Sequence, residues 1–271
     1  MRARDASQRS QKTIDDFGDQ WTRFTGNEGF YGSSELFEDI VGPLLPSGFL
    51  HGLRVAEIGS GTGRIVRMLL SAGAAHVVAL EPSAAVDVLK RNVAEYGDRV
   101  ECLHATGEHL PADAGFDLVV SIGVLHHIPD PHPVVEAAYR ALKPGGRILV
   151  WLYGREGNTA YMALTLPLRS ITTRLPHGAV LALARFFVAL LRPYVRLCQW
   201  IPLPLKGYFT HVFGRMSHDK QVLIIYDQLR PTHAKYYRRD EAIALVTSAG
   251  FSDVQIYHRH GYSWTILATR R

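Results

Sequence analysis

Val55-Ala56-Glu57-Ile58-Gly59-Ser60-Gly61-Thr62-Gly63-Arg64 is an apolar run that ends in three alternating glycines and then passes into a helical pattern. That order reads as a strand feeding a ligand-cradling turn. Glycine belongs there because the chain must reverse sharply, adopt positive φ and let a ligand reach bare backbone. The spacing sets two better-known nucleotide turns aside. A dinucleotide fingerprint would place its third glycine where Arg64 stands, and a P-loop would need Gly-Lys-Ser/Thr, which is absent. The turn is not built for a pyrophosphate.

One strand-helix unit later, His76-Val77-Val78-Ala79-Leu80-Glu81-Pro82-Ser83 is a second apolar run ending in an acid placed to accept both hydroxyls of a ribose. A glycine turn with a ribose acid points to a nucleoside ligand. Three further stretches follow: Ala105-Thr106-Gly107-Glu108-His109-Leu110-Pro111, then Phe116 to Pro131 with Ser121, Ile122, His126 and His127 at its centre, then Leu142-Lys143-Pro144-Gly145-Gly146-Arg147-Ile148-Leu149-Val150. In order and spacing the five stretches resemble the class I S-adenosylmethionine (SAM)-dependent methyltransferases, of the methyltransferase type 11 or ubiquinone-biosynthesis-like group. The resemblance implies S-adenosyl-L-methionine as cofactor. It also implies a set of binding residues: Glu57, Gly59, Gly61 and Gly63 in the turn, Glu81 and Pro82 after the second strand, Thr106, Gly107 and Glu108 after the third, and Ser121 and Ile122 at the fourth. One position departs from the pattern, since the family usually has Asp where Thr106 stands, to accept from the adenine amino group. Threonine can still accept, or Glu108 takes the role.

Working outward, strands are predicted at 53–58, 76–80, 99–104, 116–121 and 146–152, alternating with helices at 63–72, 83–95 and 132–141. Such alternation makes a mostly parallel sheet with helices on both faces and ligands at the carboxyl ends of its strands. The expected fold class is α/β, a Rossmann-like seven-stranded αβα sandwich with N-terminal helices and a helical insert after the fifth strand. Four regions follow: a helical cap over 1–50, the SAM-binding core over 51–154, a basic hydrophobic insert or lid over 155–225, and the end of the core sheet over 226–271. In the cap, Ile14, Phe17, Trp21 and Phe24 recur every three or four residues, and Ser33 is placed to cap a second helix. Trp21 and Tyr31 are candidates to touch SAM or substrate, although filling the core is the commoner fate of residues such as Phe17 and Trp21. At the other end, Asp240 to Phe251 reads as a helix with a glycine stop, and strands near 252–258 and 262–269 complete the sheet.

The insert is the most individual part of the chain. Between residues 160 and 222 stand eight Lys or Arg (Arg169, Arg174, Arg185, Arg192, Arg196, Lys206, Arg215, Lys220) and one acid, Asp219. This +7 exceeds the +5 of the whole chain, so the basic character belongs to the insert and implies an anionic partner, a membrane surface or a solvated face. Ala179 to Leu191 is apolar almost all round, but it is shorter than the ~20 residues of a bilayer span and is interrupted by Arg185. It is expected not to cross a membrane. Arg185, Arg192 and Arg196 share one helical stripe, with Pro193 a candidate kink. A lid over a hydrophobic substrate, a homodimer face or a peripheral membrane contact would each use such a helix.

The 271 residues, 47% of them apolar, suffice for one full core. Cys102 and Cys198 form no CxxC pair, so neither a disulfide framework nor a metal site is indicated. The opening Met1 to Gln8 carries charges without an apolar core, which argues against a signal peptide and for a cytoplasmic location. The positive charge is interleaved with Leu, Val and Phe, and no Asn-Pro-Pro-Tyr-type motif follows the fourth strand, which disfavours nucleic acid as a partner. Methyl transfer from SAM is an in-line displacement in which the protein aligns a nucleophile and removes its proton. His126 and His127 lie where the methyl should point, and imidazole ordinarily titrates near neutrality; the resemblance favours His127 as the base, because the family often has an acid or other residue at the first position and histidine at the second. Asp227, Tyr153, Tyr236, Tyr237, His260 and Tyr262 are weaker substrate-side candidates. The reading is a methyltransferase acting on an oxygen or nitrogen of a small or amphipathic acceptor. A protein-lysine methyltransferase and a non-catalytic SAM-binding scaffold are the alternatives.

Overall fold

The computed structural model describes residues 2–271, with side chains from Gln8 onward; the side chains of Met1 to Ser7, which bear on the reading of a leader, lie outside the described residues. Seven strands form one sheet in the order β3-β2-β1-β4-β5-β7-β6. The first five are β1 (Arg54–Ile58), β2 (His76–Leu80), β3 (Val100–Leu103), β4 (Phe116–Ile122) and β5 (Leu142–Tyr153), all parallel to one another. Strand β7 (Ser263–Thr269) runs antiparallel between β5 and β6 (Ser252–Arg259). The central strands read as continuous apolar runs because helices cover both faces, and Val55, Ala79, Val120 and Leu149 are fully buried. This is the Rossmann-like αβα sandwich expected, and the strand order reverses between β1 and β4, which opens a crevice at their carboxyl ends.

Helices α3 (Arg64–Ser71), α4 (Val86–Val93), α5 (His132–Ala141) and α10 (Arg239–Thr247) flank the sheet. The N-terminal cap is a helix α1 (Arg2–Arg23) followed by α2 (Ser34–Val41), whose N-cap Ser33 accepts from the Leu36 N–H as its sequence foretold. The insert folds as α6 (Thr159–Thr172), α7 (His177–Trp200), α8 (Lys206–His211) and α9 (His218–Leu229) around a core of its own, with Val180, Ala184 and Val188 packed against Phe213, Val222 and Tyr226.

Two expectations for the insert need revision. Residues 222–229 belong to α9, so the helical segment runs across the boundary drawn at 225 and stops at Leu229, before Arg230-Pro231. The apolar run at 179–191 is part of a 24-residue helix that continues through Pro193; by length and composition alone α7 is long and apolar enough to cross a membrane. It is held along one side by α8 and α9, where Val180, Ala184, Val188 and Cys198 are fully buried.

Candidate active site

The glycine turn takes the shape its composition implied. Gly59, Gly61 and Gly63 have φ of 76°, 53° and 82°, the left-handed region closed to most side chains. A Cβ at Gly59 would fall 2.5 Å from the Val124 side chain, and one at Gly61 would meet the Trp21 indole at 3.3 Å. Gly63 serves differently, opening α3 where a Cβ would strike Leu89 and Val93 at 2.9 Å. The N–H groups of Gly59 and Ser60 both donate to the Leu80 carbonyl at 2.9 Å, which ties the turn to the end of β2.

Glu81 lies directly beyond that end and is buried. Its Oε2 accepts from the Gly61 N–H at 2.7 Å, while Oε1 accepts from the N–H and hydroxyl of Ser83. These bonds fix the carboxylate's orientation and leave lone pairs over for a ligand's hydroxyls, since a carboxylate offers about four acceptor sites. Glu57 is buried with Oε2 lacking any hydrogen-bond partner. Burial pushes its carboxyl up to about 8, with Ser60 and Arg64 opposing the rise. An unpartnered buried carboxylate oxygen facing a cavity is a vacancy for a donor, as an amino-acid ammonium would supply.

That cavity is about 580 Å³ and extends from the glycine turn to the space beneath the insert. Glu57, Gly59, Gly61, Glu81, Pro82, Thr106, Gly107, Glu108, Ile122 and His127 line it; Gly63, Ser121 and His126 do not. The Thr106 hydroxyl is engaged with the His109 Nδ1 at 2.7 Å. Phe17 and Trp21, for which core filling was the commoner expectation, form part of the cavity wall, with Phe17 edge-on to the His127 ring at 4.8 Å.

The two histidines part company. His126 is wholly buried under Tyr153, at 3.9 Å between ring centres, with no hydrogen bond of ordinary geometry and only a weak contact to the Trp151 backbone; burial, then neighbouring His127, holds it well below the usual imidazole range. It is a packing residue. His127 places Nδ1 2.8 Å from the His233 carbonyl. A carbonyl only accepts, so Nδ1 carries the proton and Nε2 is left as an acceptor on a ring that lines the cavity. Burial takes its pKa down to about 3 despite that bond, so an imidazole titrating near neutrality is not what this site holds.

Beyond His127, a polar network crosses the apolar chamber. Asp227 Oδ1 accepts from Gln20 Nε2 at 3.0 Å and Oδ2 from the Tyr153 hydroxyl at 3.4 Å, while Tyr153 in turn accepts from Gln228 Nε2 at 2.8 Å. Burial raises the Asp227 pKa, against the pull of Gln20 and Arg169. Arg169, one of the insert's eight basic residues, is buried here, donating to the Gln228 carbonyl at 2.9 Å and to the Tyr236 hydroxyl at 3.4 Å. Of the weaker candidates, Asp227, Tyr153, Tyr236 and Tyr262 line the cavity, whereas Tyr237 and His260 do not. The sequence reading missed Gln20, Gln228 and Arg64. A signal for the first was present, because Gln20 lies three residues after Phe17 and so shares its helical face. Gln228 lies in the last turn of α9, beyond the boundary drawn at 225, and no local motif marks it.

The parallel strand order, the glycine turn and the acid at the end of β2 together define a nucleoside-binding α/β domain of the class I methyltransferase kind. Residues 56–150 match the model of the methyltransferase domain family, and the fold is that of the class I SAM-dependent methyltransferases. Over 132 residues it is 35% identical to the ubiquinone biosynthesis O-methyltransferase of Aromatoleum aromaticum, covering 48% of this chain and 56% of that protein. The corresponding enzyme of Klebsiella pneumoniae is 33% identical over 121 residues, covering 44% and 50%. The chain thus spans about half the length of the curated relatives it matches. Among solved structures, the magnesium protoporphyrin IX methyltransferase of Synechocystis PCC 6803 with bound SAH superposes with a TM-score of 0.53 at 18% identity, covering 93% of each chain. A SAM-dependent methyltransferase from Mesorhizobium loti gives 0.53 at 19% identity, covering 88% of this chain and 99% of that one. These two likenesses concern the fold. SAM is the family's cofactor, and the residues here fit it: bare turn backbone under Trp21, an oriented Glu81 carboxylate and an unpartnered Glu57 oxygen.

Proposed function

We propose that the protein transfers the methyl group of SAM to an oxygen or nitrogen of a small or amphipathic acceptor held in the chamber beneath α6, α7 and α9. The observation that carries this reading is the continuity of one cavity from Glu81 and the glycine turn to Asp227 and the tyrosines of the insert. SAM supplies an electrophilic methyl on a sulfonium; the chain's own residues bind, orient and deprotonate. Glu81 takes the ribose hydroxyls and Glu57 the ammonium of the methionine moiety. Asp227, half-buried with a raised pKa and steered by Gln20 and Tyr153, is the group that takes the acceptor's proton, because a carboxyl raised above its ordinary value is a better base than an imidazole depressed to about 3. His127 orients the acceptor by accepting a hydrogen bond at Nε2. Coverage of the chamber by α1 and the insert favours a compact acceptor over an extended peptide, and a cytoplasmic setting belongs to the same reading.

The test is to incubate the purified protein with cell extract and radiolabelled SAM, then separate protein, lipid and small-molecule fractions. Label in the small-molecule or lipid fraction is the expected result. Label confined to protein would overturn the choice of acceptor, and SAM turnover absent from every fraction, with SAM still bound, would leave a binding scaffold.

A further inference from the structure

Every large apolar side chain that stands well exposed among the described residues lies between 164 and 201, in the insert. Leu164 is 73% exposed, Phe186 60%, Leu190 58% and Trp200 85%, and Ile171 and Leu197 are exposed as well. On α7 the exposed apolar residues repeat as Phe186, Leu190, Leu197 and Trp200, a single stripe at helical spacing opposite the buried Val180, Ala184 and Val188. Along the edge of that stripe run Arg185, Arg192 and Arg196, all exposed and paired with no acid among the described residues. No Asp or Glu occurs from residue 157 to 218. The helix therefore has three faces: one packed on α8 and α9, one apolar and bare, one cationic.

We propose that this face of α6 and α7 docks the protein on an anionic lipid bilayer, lying in its surface, and that the methyl acceptor enters from the lipid. The inference rests on the function proposed above. Charge complementarity selects the occupant. A second copy meeting this face about a two-fold axis would bring two arginine rows together with no acid on α6 or α7 of either copy, whereas an anionic leaflet offers acyl chains to the apolar stripe and phosphates to the guanidinium row at once. Trp200 suits the boundary between the two media. A bilayer span is ruled out by the packed third face, which would have to be stripped from Phe213, Val222 and Tyr226 before α7 could cross. The entry route follows from Leu164 and Leu190, each of which both lines the cavity and stands in the exposed patch. The chamber thus opens through the very surface that would face the lipid.

The experiment uses the full chain with vesicles of phosphatidylcholine alone or mixed in equal parts with phosphatidylglycerol. Co-sedimentation with the mixed vesicles, its loss in high salt and a blue shift of tryptophan emission that disappears in Trp200→Phe are the expected results. The triple change R185Q/R192Q/R196Q should weaken binding by about two orders of magnitude, the scale for three cations near an anionic leaflet. Thermal melting and SAM titration calorimetry on the same variants confirm that they are folded. Failure of the wild type to bind mixed vesicles while SAM binding is intact would overturn the docking proposal and leave the proposed function standing; a concentration-dependent dimer in light scattering, broken by Phe186→Ser and Leu197→Ser, would assign the face to a second copy. Loss of SAM binding in the wild type would instead strike the proposed function.

Discussion

Glu57 is the residue whose chemistry is most sharply set by its surroundings. Its carboxyl, at about 8 in the folded protein against an ordinary 4.5, keeps its proton at neutral pH. The folded state then binds more protons than the unfolded state between those values, so this group lowers stability as pH rises from about 4.5 to 8, and the loss is complete above 8. Glu57→Gln should abolish that slope and stabilise the ligand-free protein at pH 8.5 by on the order of 2 to 4 kcal/mol, seen as a raised melting temperature; an unchanged melting curve at both ends of the range would refute the raised pKa. A ligand ammonium at Glu57 would also ionise it, so SAM binding at pH 7 should release a proton, seen in calorimetry as a heat that varies with the buffer's ionisation enthalpy. Glu81→Ala should weaken SAM by about 1.5 to 3 kcal/mol, the scale for hydrogen bonds to a charged group. At the acceptor end, Asp227→Asn should lower turnover by about 10²- to 10⁴-fold with SAM affinity nearly intact. His127→Ala should act chiefly through acceptor KM; the reverse ranking of the two variants would return the base role to the histidine.

At the scale of elements, α1 is part of the cavity wall. Its Trp21 lies against Gly61, its Gln20 holds Asp227, and its Phe17 abuts His127, so one helical face touches the glycine turn, Asp227 and the chamber beneath the insert. Periodicity had put Phe17 and Trp21 on that face, but not what the face would meet, because an amphipathic stripe looks the same whether it covers core or cavity. The core elements were legible for the opposite reason. Strands that are apolar throughout, glycines at fixed offsets and an acid at a strand end answer to local rules, and β1 to β7 lie where those rules place them, within a few residues except for an earlier start to β5. Asp227 and Arg169 were the harder cases. Their environment is made by the meeting of α1, α6 and α9, and one residue's burial across three distant segments leaves no local trace. If SAM draws α1 down onto the turn, tryptic cleavage after Arg23 should slow several-fold when SAM is added; equal cleavage rates with and without SAM would mean that α1 does not respond to the cofactor.

Taken as a whole, the molecule threads β7 between two strands that precede it in the chain. Strand β5 pairs on its far side only with β7, and some 110 residues separate Tyr153 from Ser263. At roughly 5 to 20 residues per second of synthesis, the edge of β5 stays open for about 5 to 20 s. During that interval the whole apolar insert leaves the ribosome beside an unpaired sheet edge, and unpaired edges recruit other strands. The yield of soluble protein should therefore depend on what shelters the nascent chain in those seconds, and slowing translation through 154–262 should lower it even though no folded contact is changed.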